Sequence, residues 1–211
     1  MKKTAILLLT VLLPVLVFVS VARAGFEISV KGGADVVGNV SSSKGQFAAY
    51  PSGIGFNISA EMMQSVIGDV LRIGAGAKVS HAAFTGSASP LKYNESITIV
   101  PIYALVQVNP LTNSGLFFRG HLGSNVVNDT GFKLRDTWGQ EYQEYRFRNG
   151  GLYYALGVGY EFKEGIVMGV LYEGYSWRYY YYADNQDSLR LSKLSFSVGY
   201  KFNLNLKIVS E

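Results

Sequence analysis

Past residue 24 no stretch of this chain is apolar for long enough to cross a membrane as a helix. Segment after segment instead alternates between an apolar side chain and a small or charged one. Successive side chains of an extended strand point to opposite faces, so this alternation specifies strands with one greasy face. The first segment, Phe26 to about Val36, sets Phe26, Ile28 and Val30 against Glu27, Ser29 and Lys31. The second sets Ile54, Phe56, Ile58, Ala60 and Met62 against Gly55, Asn57, Ser59 and Glu61, and the third opposes Leu71, Ile73, Ala75, Ala77 and Val79 to Arg72, Gly74, Gly76, Lys78 and Ser80. The sixth, Leu152 to Phe162, and the eighth, Lys193 to Phe202, are equally regular. Arg119 and His121 lie on the polar side of the fifth, Leu116 to Gly123, and Glu173 on that of the seventh, Ile166 to Trp177. The fourth, Ile97 to Val108, is apolar on both sides, so its facing is not readable, and a bulge near Pro101 would switch it.

The connections alternate in length. Short ones fall at Gln64 to Asp69, Asn109 to Gly115 and Lys163 to Gly165; long ones at Val37 to Gly53, Ala82 to Asn94, Asn125 to Gly150 and Tyr179 to Leu191. About eight strands with this alternation fit an antiparallel up-and-down transmembrane β-barrel with short periplasmic turns, longer external loops and both termini periplasmic. A soluble barrel also alternates, but its polar face meets water, where glycine weakens a strand and offers solvent nothing. Here that face carries Gly74, Gly76, Gly157, Gly159, Ser195, Ser197 and Gly199, which suit the cramped interior of a small barrel. Aromatic residues gather at predicted strand ends: Tyr160, Phe162, Tyr200 and Phe202 at the periplasmic level, Trp177, Tyr179 and Tyr180 at the external one. They form two expected girdles where hydrocarbon meets water.

The N-terminus reads as an address. Lys2 and Lys3 precede an apolar run from Ala5 to Val19, then Ala22-Arg23-Ala24, a pattern that predicts cleavage before Gly25. Residues 1–24 are therefore expected to be a signal peptide and 25–211 a single barrel domain. Loss of Lys2, Lys3 and Arg23 from the 19 basic side chains brings them nearly level with the 15 acidic ones. The formal charge of +4 is thus largely a property of the precursor, and a nucleic-acid partner is not expected. The absence of cysteine closes the acylated-cysteine route to the membrane and all disulfide chemistry.

The segments GGLYYALGVGYEF, LYEGYSW and LSFSVGYKF resemble strands of the small outer-membrane β-barrel superfamily, which includes the outer membrane protein A barrel and its OmpX-like relatives. The resemblance runs through essentially the whole chain after residue 24. It implies a bacterial outer-membrane location, folding by the barrel assembly machinery, and contact with outer-membrane lipid and lipopolysaccharide. It also implies a last strand ending at an aromatic residue; Phe202 fits, with Asn203 to Glu211 following.

Charges facing a closed lumen must pair or meet lumenal water. Arg119, Glu173, Arg72, Lys78, Glu61 and Lys193 are the expected lumenal charge network, with Glu27, Lys31, Glu161 and Lys201 beside them. Arg119 and Glu173, nearest mid-depth, are expected in one network, like the ion-paired interior of the outer membrane protein A barrel. Catalysis is disfavoured: His121 and Ser124, with Asn125, Glu141 and Glu144 nearby, are spaced by three, which sends a general base and its nucleophile to opposite faces. His81 reads as an interfacial residue, and no metal or cofactor motif is present. Trp138, Tyr142, Tyr145, Arg146 and Arg148 make the longest loop either a recognition surface or the rim packing of strands that rise above the membrane. The expected role is structural and interfacial, a monomer whose loops contact host or surface ligands. Its alternatives are a narrow, gated, porin-like passage and a lipid A-modifying enzyme.

Overall fold

The computed structural model describes residues 26–42, 48–49, 53–88, 91–111, 114–127, 132–135, 141–147, 150–181 and 185–204. The strands are β1 (Phe26–Ser42), β2 (Ala48–Ala49), β3 (Gly53–Ile67), β4 (Leu71–Ala88), β5 (Leu91–Val108), β6 (Leu116–Val127), β7 (Phe132–Arg135), β8 (Glu141–Phe147), β9 (Leu152–Glu161), β10 (Ile166–Tyr181) and β11 (Asn185–Leu204). Eight of them close an all-antiparallel barrel in the order β1-β3-β4-β5-β6-β9-β10-β11, with β11 pairing back onto β1 from Phe26↔Leu204 onward. Closure removes every edge from the wall, the condition for strands to cross hydrocarbon with their backbone polar groups satisfied.

Both described ends and three tight connections share one rim, the short-turn rim. Gly115 (φ 72°) and Gly165 (φ 86°) turn the chain there in the left-handed region that favours glycine. At Gly115 a side chain is also excluded by space, since a Cβ would lie 2.2 Å from the carbonyl oxygen of Glu161. That carbonyl belongs to the next hairpin, whose own amide donates to Gly115 O at 2.8 Å.

The wall is inside-out relative to a water-soluble protein. Ile54, Phe56, Ile58, Leu122, Leu156, Val198 and Phe202 point outward and are exposed, Leu156 by 67%. Ser29, Asp35, Asn57, Glu61, Gln107, Glu173 and Lys193 point inward and are buried. Apolar faces therefore meet lipid, and the polar faces line a filled core.

Three observations correct the sequence reading. β5 carries no bulge: its ladder with β6 keeps one register from Ile99↔Val127 to Val108↔Phe118. Its ladder with β4 has the same register on both sides of Pro101, where proline offers no N–H for pairing. Ile99, Pro101, Tyr103, Leu105 and Gln107 face inward, and Ile102, Ala104 and Val106 outward. Secondly, the strands run farther toward the long-loop rim than alternation indicated, β4 to Ala88, β5 from Leu91 and β11 from Asn185. Beyond the hydrocarbon neither face needs to be apolar, so the alternation ends before the strand does. Thirdly, the region expected as one long loop contains β7 and β8, which pair with each other and dock on the extensions of β5 (Lys92↔Arg135) and β10 (Tyr179↔Phe147, Tyr180↔Arg146).

Candidate functional site in the barrel lumen

The inward charges sort into three tiers along β1, which passes Glu27, Lys31 and Asp35 in turn from the short-turn rim. At that rim Arg72 donates to Glu161 at 2.7 Å and pairs with Glu27 at 3.3 Å, while Lys201 reaches Glu27 at 3.2 Å and also pairs with Glu161. Two carboxylates meet two cations, and the exposed Asp69 stands 3.8 Å from Arg72.

In the tier toward the long loops, Lys193 donates to Asp35 at 2.5 Å and Lys78 to Glu173 at 2.5 Å, with a cross-pair of 3.4 Å between Lys193 and Glu173. Neutral groups complete the cage. Ser80 and Asn57 each donate to Asp35 at 2.6 Å, Lys78 donates to Ser195 at 2.7 Å, and the hydroxyl of Tyr175 donates to Glu173. Again two carboxylates meet two cations.

The middle tier is built differently. Lys31 and Arg119 converge on one oxygen, Oε2 of Glu61, at 2.6 and 2.7 Å. Tyr103 donates to Oε1 at 3.0 Å, and His121 Nε2 stands 4.0 Å from the same atom. A second Arg119 nitrogen donates to Gln107, whose amide donates onward to Asn109 at 3.0 Å.

A run of aromatic rings links the middle tier, where Tyr103 bonds Glu61, to the one above, where Tyr175 bonds Glu173. Trp177 stacks on Tyr175 (6.0 Å between centroids, planes 12° apart), Tyr175 meets Tyr153 at 5.1 Å, Tyr153 meets Tyr103 at 5.3 Å, and Tyr103 stacks on His121 at 4.4 Å. Offset stacked and tilted pairs at these separations add attraction to the area they bury. Phe117 lies under the guanidinium of Arg119, with 4.7 Å to the ring centroid, and extends this packed level of the lumen.

The structure thus places Glu61, Arg72, Lys78, Arg119, Glu173 and Lys193 on the inner wall, all buried. It does not bring Arg119 and Glu173 together, correcting that expectation. They pair in separate tiers, Arg119 with Glu61 and Glu173 with Lys78 and Lys193, because strand register sets which inward residues share a level. Trp177 is also corrected: it is 1% exposed and belongs to the lumenal stack, not to a girdle. It shares parity with Glu173 and Tyr175 on β10, and an uninterrupted strand cannot turn it outward. Tyr160, Phe162, Tyr200 and Phe202 do point outward near the short-turn rim, in two edge-to-face pairs, each with centroids 4.9 Å apart. The side chains of Tyr179, Tyr180, Tyr142, Tyr145 and Arg146, and all of Trp138 and Arg148, lie outside the described residues.

Sequence reading missed Asp35, Tyr103 and Tyr175. Asp35 shares parity with Glu27 and Lys31, and Tyr175 with Glu173, so parity would have found both; Tyr103 was hidden by a strand apolar on both faces. His81 points outward beside Phe56, its ring 5.3 Å away, with Thr98 at 2.9 Å. His121 is buried in the lumen and Ser124 is exposed on the outer face, so the two do not meet. Among the described residues no group of His, Asp and Glu side chains could hold a metal ion.

An inside-out, closed wall of eight antiparallel strands around a paired polar core defines an integral membrane barrel of the outer-membrane type. The chain belongs to the family described as the outer membrane protein beta-barrel domain, whose model matches residues 5–202. Among solved structures it is similar to Ail, the attachment invasion locus protein of Yersinia pestis, at 16% identity with a TM-score of 0.54, covering 83% of this chain and 98% of that one. A second Ail structure, in complex with the heparin analogue sucrose octasulfate, matches at 16% identity with a TM-score of 0.53 and coverages of 84% and 99%. At such identity the likeness is one of fold. No curated protein matches the chain by sequence.

Proposed function

We propose that this barrel is a structural and surface-contact protein of the outer membrane, working through what it displays outside rather than through what passes inside. The carrying observation is the filled lumen: three tiers of ion pairs and a stack of rings occupy the interior of an eight-stranded wall, which at that strand number is just wide enough for side chains. Strand lengths support the same reading. β9, at 10 residues, has the length needed to cross the hydrocarbon, whereas β4 and β5 have 18 and β11 has 20. The excess of some eight residues lifts the long-loop rim about 25 Å farther along the strand direction. Together with β7 and β8 it offers a raised platform for contact with lipopolysaccharide, host or neighbouring-cell surfaces. The Ail barrel was crystallised with a sulfated sugar analogue, which supports a surface ligand for a wall of this shape.

In this reading residues 1–24 are removed on export, both chain ends and the short turns face the periplasm, and the barrel is a monomer without catalytic activity. Planar-bilayer recording tests the central point. The folded protein is expected to give no steady conductance above the detergent control, and a large steady conductance would replace this proposal with the narrow-pore alternative. Lipid A mass spectra from cells with and without the protein are expected to be identical; a changed acyl pattern would establish the enzyme.

A further inference from the structure

The three tiers differ in a way that packing does not explain. Along the described inner wall stand five carboxylates, Glu27, Asp35, Glu61, Glu161 and Glu173, against six cations, Lys31, Arg72, Lys78, Arg119, Lys193 and Lys201. The long-loop tier is balanced two against two, and at the rim Arg72 and Lys201 meet Glu27 and Glu161 with the exposed Asp69 also 3.8 Å from Arg72, so the buried cationic excess falls on the middle tier. There Lys31 and Arg119, with side chains each 3% exposed, share the single carboxylate Glu61. An unpaired charge in a buried, membrane-spanning core is among the most expensive features a protein can hold, and such charges are otherwise paired.

The donors of this tier also exceed its acceptors. Oε2 of Glu61 already accepts from both cations, and Oε1 accepts from Tyr103. Arg119 Nε and His121 Nε2 are buried with no hydrogen-bond partner among the described residues. His121 Nδ1 lies 3.1 Å from the hydroxyl of Tyr153, and in the tautomer in which that hydroxyl donates, Nε2 carries the ring proton and is a second donor lacking an acceptor. Arg119 and His121 are two apart on β6, both inward, so their free N–H groups share one face of one strand.

We infer that the middle tier is a binding site for one small monovalent anion of the halide class, held by Arg119 Nε and His121 Nε2 and balancing the charge of Lys31. A halide supplies the missing negative charge and accepts several N–H donors at once. This inference rests on the charge count and the orphan donors, and it stands whatever the raised rim contacts.

The test uses the folded protein in nonionic detergent, titrated with sodium chloride against a bulky organosulfonate at equal ionic strength. Chloride is expected to raise the unfolding temperature along a saturating curve, and the protein to broaden the chlorine-35 resonance in excess over an equal concentration of detergent alone. Lys31→Met leaves one cation against one carboxylate and is expected to abolish both effects while the barrel remains heat-modifiable on a gel. His121→Phe keeps the stack on Tyr103 and removes one donor; it is expected to weaken chloride binding several-fold, read as the chloride midpoint measured against its own melt in organosulfonate. Bromide crystals are expected to show anomalous density between Arg119 and His121. Wild-type protein that melts alike in both salts and leaves the chlorine line unbroadened would overturn the inference, as would a Lys31→Met barrel that keeps the full chloride effect. Should Lys31→Met fail to fold, the wild-type line width and the His121→Phe titration decide the matter.

Discussion

Two halves of the inner wall are built on opposite principles. β5 and β6 send Tyr103, Leu105, Gln107, Phe117, Arg119 and His121 into the lumen, all buried, whereas β9, the first part of β10 and β11 interleave larger inward residues such as Leu171 and Lys193 with Ala155, Gly157, Gly159, Gly169, Ser195, Ser197 and Gly199. The contrast is one of volume. Phe117 reaches so far that a Cβ on Gly159 would lie 2.2 Å from its ring, and Lys31 lies equally hard against Gly199, with 2.5 Å from a Cβ there to its Cγ. Small residues on one side are therefore the space into which the other side packs, and a barrel of this width cannot carry long side chains all round. The charge tiers sit across this division, which is why their pairs join residues as far apart in sequence as Asp35 and Lys193.

The comparison breaks most severely at the acid that holds the long-side-chain half together. Glu61→Gln leaves Lys31 and Arg119 buried with no carboxylate between them, and removing one partner of a buried ion pair costs about 3–5 kcal/mol. The expected result, in a urea titration of the detergent-folded barrel read by heat-modifiable mobility, is a strongly lowered midpoint or no folded band at all. Glu173→Gln sharpens the contrast between tiers, because Asp35 still faces both Lys78 and Lys193. It should cost about 1.5–3 kcal/mol, the worth of hydrogen bonds to a charged group, and less than Glu61→Gln in the same titration. Equal losses would mean that the tiers share their charges across the rings.

The volume argument has its own test. Gly159→Ala puts a methyl group where the Phe117 ring lies, and overpacking of this kind costs about 1–3 kcal/mol. The double variant Gly159→Ala with Phe117→Leu should recover part of that loss. A methyl at Gly159 also approaches the carbonyl oxygen of Met168, at 2.4 Å, so recovery will be incomplete. A double variant no better than the single one would assign the whole cost to the backbone contact and weaken the case for complementary halves.

Where one face of a strand is apolar and the other small or charged, as from Leu152 to Phe162, strand and facing were both legible, because lipid on one side and a cramped lumen on the other leave two separate compositions. In β5 the lumenal face is itself apolar, with Ile99, Tyr103 and Leu105 packed against rings, so the two faces look alike in sequence. Trp177 was legible by parity and was misread from composition: tryptophan favours membrane interfaces, but its strand neighbours Glu173 and Tyr175 had already fixed its side. Which charges meet was not legible, since pairing depends on the register of strands far apart in the chain, as with Lys78 and Glu173. The extent of β4, β5 and β11 beyond the hydrocarbon was hidden for a different reason: no physical demand for alternation survives there.

The smallest expected effect lies on the outer face. Leu156 is exposed where its strand neighbour Ala155 is buried, and in the family's setting that exposure is to lipid. Leu156→Ala exchanges one hydrocarbon contact for another and should change stability by no more than about 0.5 kcal/mol, as is usual for side chains outside a packed core. A buried leucine truncated in the same way would cost about 2–5 kcal/mol. The measurement therefore asks what covers the outside of the wall. If Leu156→Ala behaves as a core truncation, the outer face at β9 is packed against protein in the folded state, and the barrel is not a monomer. If it is neutral while Gly159→Ala, three residues along the same strand and facing inward, is costly, one strand reports two different solvents on its two sides.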